Sequence, residues 1–68
     1  MPETSLAEAY PIQQARLRTL IEQYRSIGPA GAFGVMMIEN ALKEMDAAIA
    51  SGDIVAMIKA YARAKECK

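Results

Sequence analysis

Residues 28–38 read GPAGAFGVMMI, and this stretch separates two helices and begins the second of them. Gly28 permits the left-handed backbone that ends a helix, and Pro29 cannot continue one. Gly31 and Gly34 follow at a spacing of three. That spacing does not match a phosphate-binding loop, so we expect these glycines to let another part of the backbone approach closely. The stretch therefore predicts a hairpin of two helices.

Hydrophobic periodicity on both sides of this stretch predicts three helices and no strand. Apolar residues recur at helical spacing, and no run alternates with the period of two that marks a half-buried strand. Gly52 ends the second helix, and Asp53 caps the third. We expect an all-α fold with an N-terminal arm or short turn over residues 1–10. A single helical domain follows over residues 11–68, in which a helical hairpin is joined by a short third helix.

The start of the first helix carries two opposed signals. Ser5 and Glu8 have the spacing of a capping box, in which each side chain bonds a free backbone amide. Pro11 lacks an amide hydrogen and disfavours helical backbone at Tyr10. We therefore expect Pro11 at the first helical position. The predicted core residues are Leu17, Leu20, Ile21, Tyr24, Ile27, Phe33, Ile38, Ala41, Leu42, Met45, Ala48, Ile49, Ile54, Met57, Ile58 and Tyr61.

Composition excludes several classes of function. Eight basic and eight acidic residues cancel, and the chain contains no histidine, no tryptophan and one cysteine, Cys67. The side chains that usually bind zinc are therefore absent, as is a second cysteine for an internal disulfide. Histidine, the commonest general base, is also absent. We expect no enzyme activity, no catalytic residue, no metal and no cofactor. No segment approaches the ~20 apolar residues that span a bilayer, and the first residues lack the basic start of a signal peptide. We therefore expect no membrane partner and a cytoplasmic location.

The second helix is apolar on more than one face. On a regular helix Val35 points about 160° away from Phe33 and Met36 about 60°, and one short chain has few other elements with which to cover both directions. Either the arm and the third helix fold over this face, or a second chain does. We favour an intertwined or packed homodimer, since small domains commonly need oligomerisation. The predicted dimer or partner interface consists of Tyr24, Phe33, Val35, Met36, Met37, Ile38 and Tyr61.

An alternative function is DNA binding by a small transcriptional regulator. The first and third helices carry most of the basic residues, which form one stripe if these helices lie side by side. The third helix presents Val55, Ala56 and Ala60 where a recognition helix needs polar side chains, so nucleic acid is not the favoured partner. A structural or assembly subunit is a third possibility. The basic residues concerned are Arg16, Arg18, Arg25, Lys59, Arg63, Lys65 and Lys68.

Two resemblances add to these expectations. Residues 47–61, with Gly52, Asp53, Ala56 and Tyr61, resemble the turn and second helix of one tetratricopeptide repeat, which implies a helical hairpin. The strings GPAGAFG and SGDIV resemble small early-region proteins of Mu-like transposable bacteriophages. These include inhibitors of host quorum-sensing activators and of the type IV pilus ATPase. This resemblance implies a dimer in the host cytoplasm that binds and sequesters a host regulatory or motor protein.

Overall fold

The computed structural model describes residues 5–67, which form three helices and contain no strand. The all-α prediction is therefore confirmed. In chain order the elements are α1 (Leu6–Ile27), a 3-10 turn (Pro29–Gly31), α2 (Ala32–Ser51) and α3 (Ile54–Lys65). Arg25 contacts Glu39 near the turn, and Gln14 contacts Asp46 farther from it. The first two helices therefore run antiparallel, and α3 packs against both.

The helix α1 begins five residues before Pro11, so the prediction that Pro11 is the first helical residue is wrong. Ser5 is the N-cap, and its side-chain oxygen accepts a hydrogen bond from the amide of Glu8 at 3.2 Å. Pro11 lies in the second turn, where its missing amide costs one intrahelical hydrogen bond. The cap at Ser5 and the packing of the first turns offset that loss.

Tyr10 packs the start of α1 onto the rest of the molecule. Its side chain is 3% exposed, and its hydroxyl donates to the backbone oxygens of Met45 at 3.5 Å and Met57 at 3.3 Å. Its ring stacks on Tyr61 with the centroids 6.2 Å apart. The predicted arm over residues 1–10 is thus wrong for its second half, which is a docked helix. Residues 1–4 of that arm lie outside the described part of the chain.

The core lies between the three helices and contains few large side chains. Leu17 and Met45 are fully buried, and four of the other buried apolar residues are alanines. The predicted core positions that are buried are Leu17, Ile21, Ile38, Ala41, Met45 and Ala48. Those packed at its edge are Leu20, Tyr24, Leu42, Met57 and Tyr61. Those that are exposed are Ile27, Phe33, Ile49, Ile54 and Ile58, of which Phe33 was also a predicted interface residue.

The helix α3 turns its small residues inward. Ala60 and Ala64 are buried, whereas Ile54 and Ile58 are 61% and 55% exposed. Alanine lets a helix axis approach its neighbours more closely than isoleucine does, so an alanine face packs against the hairpin with little void. The sequence of α3 is apolar on both of these faces, so it does not show which face packs against the hairpin. The prediction selected the face that is exposed.

The turn of the hairpin is packed through two glycines. The backbone approach that the sequence predicts occurs at Gly31, whereas Gly34 meets a side chain. A methyl group added to Gly31 would lie 2.0 Å from the backbone oxygen of Tyr24, and one added to Gly34 would lie 2.8 Å from the ring of Tyr24. Gly28 ends α1 with a φ of 91°, and Gly52 ends α2 with a φ of 69°. These contacts bring the end of α1 against the beginning of α2 and fix where the next side chains point.

Candidate protein interface

Three large apolar side chains are exposed together at the beginning of α2. Phe33 is 68% exposed, Met36 50% and Met37 49%. They occupy positions i, i+3 and i+4 of one helix, so their side chains adjoin on the surface. We call these three residues the α2 patch. Ile27, which is 60% exposed, ends α1 at the same end of the hairpin and adds to the apolar surface there.

An open groove adjoins the α2 patch. Its volume is about 620 Å³, and Phe33 and Met37 line it. Ile38 and Ala41, which belong to the core, also line it. The groove is open because α3 has 12 residues and α2 has 20, so α3 ends before it reaches the first turns of α2. The polar residues around the groove carry both signs of charge: Lys43, Glu44, Arg63 and Glu66.

The predicted interface residues do not all share one surface. Tyr24 lines the groove beside the α2 patch and is half-buried. Val35 is packed against the core, and Ile38 is 3% exposed within it. Tyr61 lies on α3, stacked on Tyr10. The structure therefore brings Phe33, Met36 and Met37 together as a surface and assigns Ile38 to the interior.

A second exposed apolar surface lies on α3 and was missed by the sequence analysis. Ile54, Val55 and Ile58 are 61%, 59% and 55% exposed. Their spacing of i, i+1 and i+4 places them on one face of the helix, and we call them the α3 patch. The sequence of α3 has apolar residues on two faces. The prediction placed the face that carries Ile54 and Ile58 in the core.

The arginine of α1 that faces α3 bonds within the chain. Arg16 donates hydrogen bonds to the backbone oxygens of Ala64 at 2.8 Å and Cys67 at 2.9 Å. These carbonyls are at the end of α3, where helix oxygens lack partners and a cation is favourable. Arg16 also donates to the side chain of Gln13, which is 7% exposed. Arg16 therefore ties the end of α3 to α1.

Two further basic residues of the predicted stripe form ion pairs. Arg25 lies 3.3 Å from Glu39, and Arg63 lies 3.0 Å from Glu44, both partners being on α2. These pairs direct the two guanidinium groups toward α2. Lys68, the last member of the predicted stripe, is outside the residues that the structure describes.

Among residues 5–67 there is neither a metal-ligand cluster nor an unpartnered buried side-chain polar atom. Over residues 5–67 no three histidine, cysteine or acidic side chains lie together as a metal site would require. Every buried side-chain polar atom in that range has a hydrogen-bond partner. Burial raises the pKa of the Tyr10 phenol, and the charge of Asp46 adds to the effect, but this hydroxyl already donates to backbone oxygens in the core. No described helix is both long enough and apolar enough to cross a membrane.

No protein-family model, curated protein or solved structure matches this chain. The two resemblances noted in the sequence therefore stay predictions.

Proposed function

We propose that this chain is a protein-binding module that pairs with a second copy through the α2 patch and acts by sequestering a host protein. The observation that carries the proposal is the joint exposure of Phe33, Met36 and Met37. Single exposed apolar residues are ordinary on a protein surface, whereas adjoining ones mark an interaction site. The groove beside them and its rim of both charge signs suit a self-complementary contact.

The shape of the chain supports a second copy as one occupant. The molecule measures 37 × 29 × 15 Å, and its radius of gyration is 12.7 Å against about 11 Å for a typical domain of this length. In a molecule this thin the helices cannot be covered on all sides by one another, so each keeps an exposed face. Domains are usually built from two packed layers, and a second copy would supply the second layer.

The size of the expected interface is compatible with this chain. A standard interface covers about 800 Å² on each partner, which is about one-sixth of the 4836 Å² that the chain exposes. Full burial of a large apolar side chain contributes roughly 1.5–3 kcal/mol. The exposed parts of the α2 patch then contribute about 5–10 kcal/mol over two copies. The entropy cost of association is of the same order, so loss of the patch should abolish the dimer.

A host protein as the second partner follows from the resemblance to early-region phage proteins. We propose that the chain is a phage-encoded inhibitor in the host cytoplasm, and that its target is a regulatory or motor protein such as a quorum-sensing activator or the type IV pilus ATPase. Binding would block the target's surface, and no catalytic residue, metal or cofactor takes part.

Affinity capture from a bacterial lysate tests this function, with and without nuclease. The baits are the unmodified chain, the Met36→Asp variant and an Ala15→Asp control, which adds the same charge to an exposed site on α1. We expect one stoichiometric protein that survives nuclease and moderate salt and that the control retains. Recovery of nucleic acid alone, lost on nuclease treatment, would replace this proposal with the DNA-binding one. If copies of the chain assembled into particles larger than a dimer, the role of a structural subunit would replace this proposal.

A further inference from the structure

The helix α3 has apolar residues on two faces, of which one packs on the core through Met57, Ala60, Tyr61 and Ala64. A surface helix normally buries its large apolar residues and exposes its small or polar ones. Here Ala60 and Ala64 face the core, and Ile54, Val55 and Ile58 face outward with more than half of each side chain exposed. The second apolar face of α3 is therefore left without a partner inside this chain.

The α3 patch is separate from the α2 patch. The helix α2 has 20 residues and is about 30 Å long. Phe33 is its second residue, while Ile54 follows its last residue after a two-residue turn. The two patches therefore lie toward opposite ends of α2. The α3 patch is therefore a surface separate from the one proposed for the dimer.

The charged residues beside the α3 patch are lysines without ion pairs. Lys59 follows Val55 by one helical turn, and Lys65 lies toward the end of the same helix. Among the described residues neither lysine pairs with a carboxylate, although the ammonium group of Lys65 lies 6.0 Å from the centre of the Tyr61 ring. The nearby carboxylate of Asp53 is occupied, because it accepts the amides that begin α3. The patch is thus apolar with unpaired positive charge beside it.

We propose that the α3 patch docks onto a helix of a partner protein whose apolar stripe is flanked by carboxylates. The inference rests on the proposed function, in which this chain binds another protein, and it names the surface and the chemistry of that contact. Residues spaced by four form a ridge that fits the groove of a second helix, with the axes 8–10 Å apart. Carboxylates on the partner would pair with Lys59 and Lys65.

A lipid surface fits the α3 patch less well than a helix does. Helices that lie in a membrane interface present tryptophan, phenylalanine or leucine along their apolar face and many basic residues beside it. The α3 patch has three aliphatic residues and no aromatic one. Arg63 is already paired with Glu44 at 3.0 Å, which leaves two lysines without an ion pair on the helix.

Nuclear magnetic resonance titration with two designed peptides tests this inference. Each peptide is a three-heptad amphipathic helix with leucine at positions a and d; one carries glutamate at positions e and g, and the other lysine. Like charges at e and g keep each peptide from pairing with itself. We expect the glutamate peptide to shift the amide signals of α3 and to bind at least tenfold more tightly than the lysine peptide.

Charge exchange provides the matched control. In the Lys59→Glu/Lys65→Glu variant the preference should reverse, so that the lysine peptide binds more tightly. The exposed Ile58→Asp change should abolish binding of both peptides while the circular dichroism of the chain stays unchanged. Equal affinity for the two peptides, shifts confined to the α2 patch, or binding only to vesicles of anionic phospholipid would each overturn the inference. The mass of the dimer tests the α2 patch separately, so failure of one claim leaves the other measurable.

Discussion

Replacement of Tyr10 tests whether the first turns of α1 are docked helix or free arm. Tyr10→Ala removes a side chain that is 3% exposed, together with its stack on Tyr61. Truncation of a buried aromatic residue costs about 3–5 kcal/mol. A domain of 68 residues has a total stability of about 3–10 kcal/mol, so this variant should be either unfolded or only marginally stable. Tyr10→Phe keeps the ring and loses only two long hydrogen bonds, which cost about 1 kcal/mol, or about 4–8 °C in Tm.

Chemical denaturation followed by circular dichroism measures these free energies of unfolding at one fixed protein concentration. Ile12→Ala is the matched control, because Ile12 lies two residues along the same helix and is 68% exposed. We expect it to change stability by less than about 0.5 kcal/mol. Equal and small losses for Tyr10→Ala and Ile12→Ala would show that the segment before Pro11 is not packed onto the core, and would refute the argument.

Three further changes probe other contacts. Because burial raises the pKa of Tyr10 above 10.0, the folded state holds that proton to higher pH than the unfolded state. Unfolding free energy should therefore fall as the pH rises past about 10, and Tyr10→Phe should fall less steeply in a pH series of denaturation curves. Gly31→Ala should destabilise by about 1–3 kcal/mol in the same assay, since the added methyl meets the oxygen of Tyr24 at 2.0 Å; unchanged or raised stability would contradict the close approach. Arg16→Ala should speed amide hydrogen exchange in the last turn of α3 about fivefold, because the bond to Ala64 is lost; an unchanged rate would show that this contact does not hold α3.

The number of helices and their ends were predictable from local chemistry. Glycine at positions 28 and 52 and the cap at Asp53 act within a few residues. Gly52 adopts the left-handed cap and Asp53 caps α3 as expected, whereas Gly28 ends α1 with a positive φ outside the left-handed helical region. The start of α1 was not predictable in the same way. The cap at Ser5 and the break at Pro11 were both visible, and the balance between them was decided by the burial of Tyr10 against residues far along the chain.

The outward face of α3 shows a second limit of sequence periodicity. The helix offers an alanine face and an isoleucine face, and both satisfy a helical apolar spacing. The choice depends on how closely α3 approaches the hairpin, which is a property of the packed helices rather than of the α3 sequence. Phe33 was predicted both in the core pattern of α2 and in the interface, and it is exposed because α3 ends too early to cover it. The three residues of the α2 patch were all among the predicted interface residues and are exposed, whereas the α3 patch was not predicted.

The molar mass in solution, measured by light scattering over a range of concentrations, tests the central claim most directly. The account predicts a rise from the chain mass of 7.4 kDa toward twice that value for the unmodified chain and for the Ala15→Asp control. Met36→Asp should stay at 7.4 kDa, because an unpaired charge buried in the interface costs about 3–5 kcal/mol. A mass of 7.4 kDa for the unmodified chain at every concentration, or a dimer of Met36→Asp as stable as that of the control, would contradict an interface built on the α2 patch.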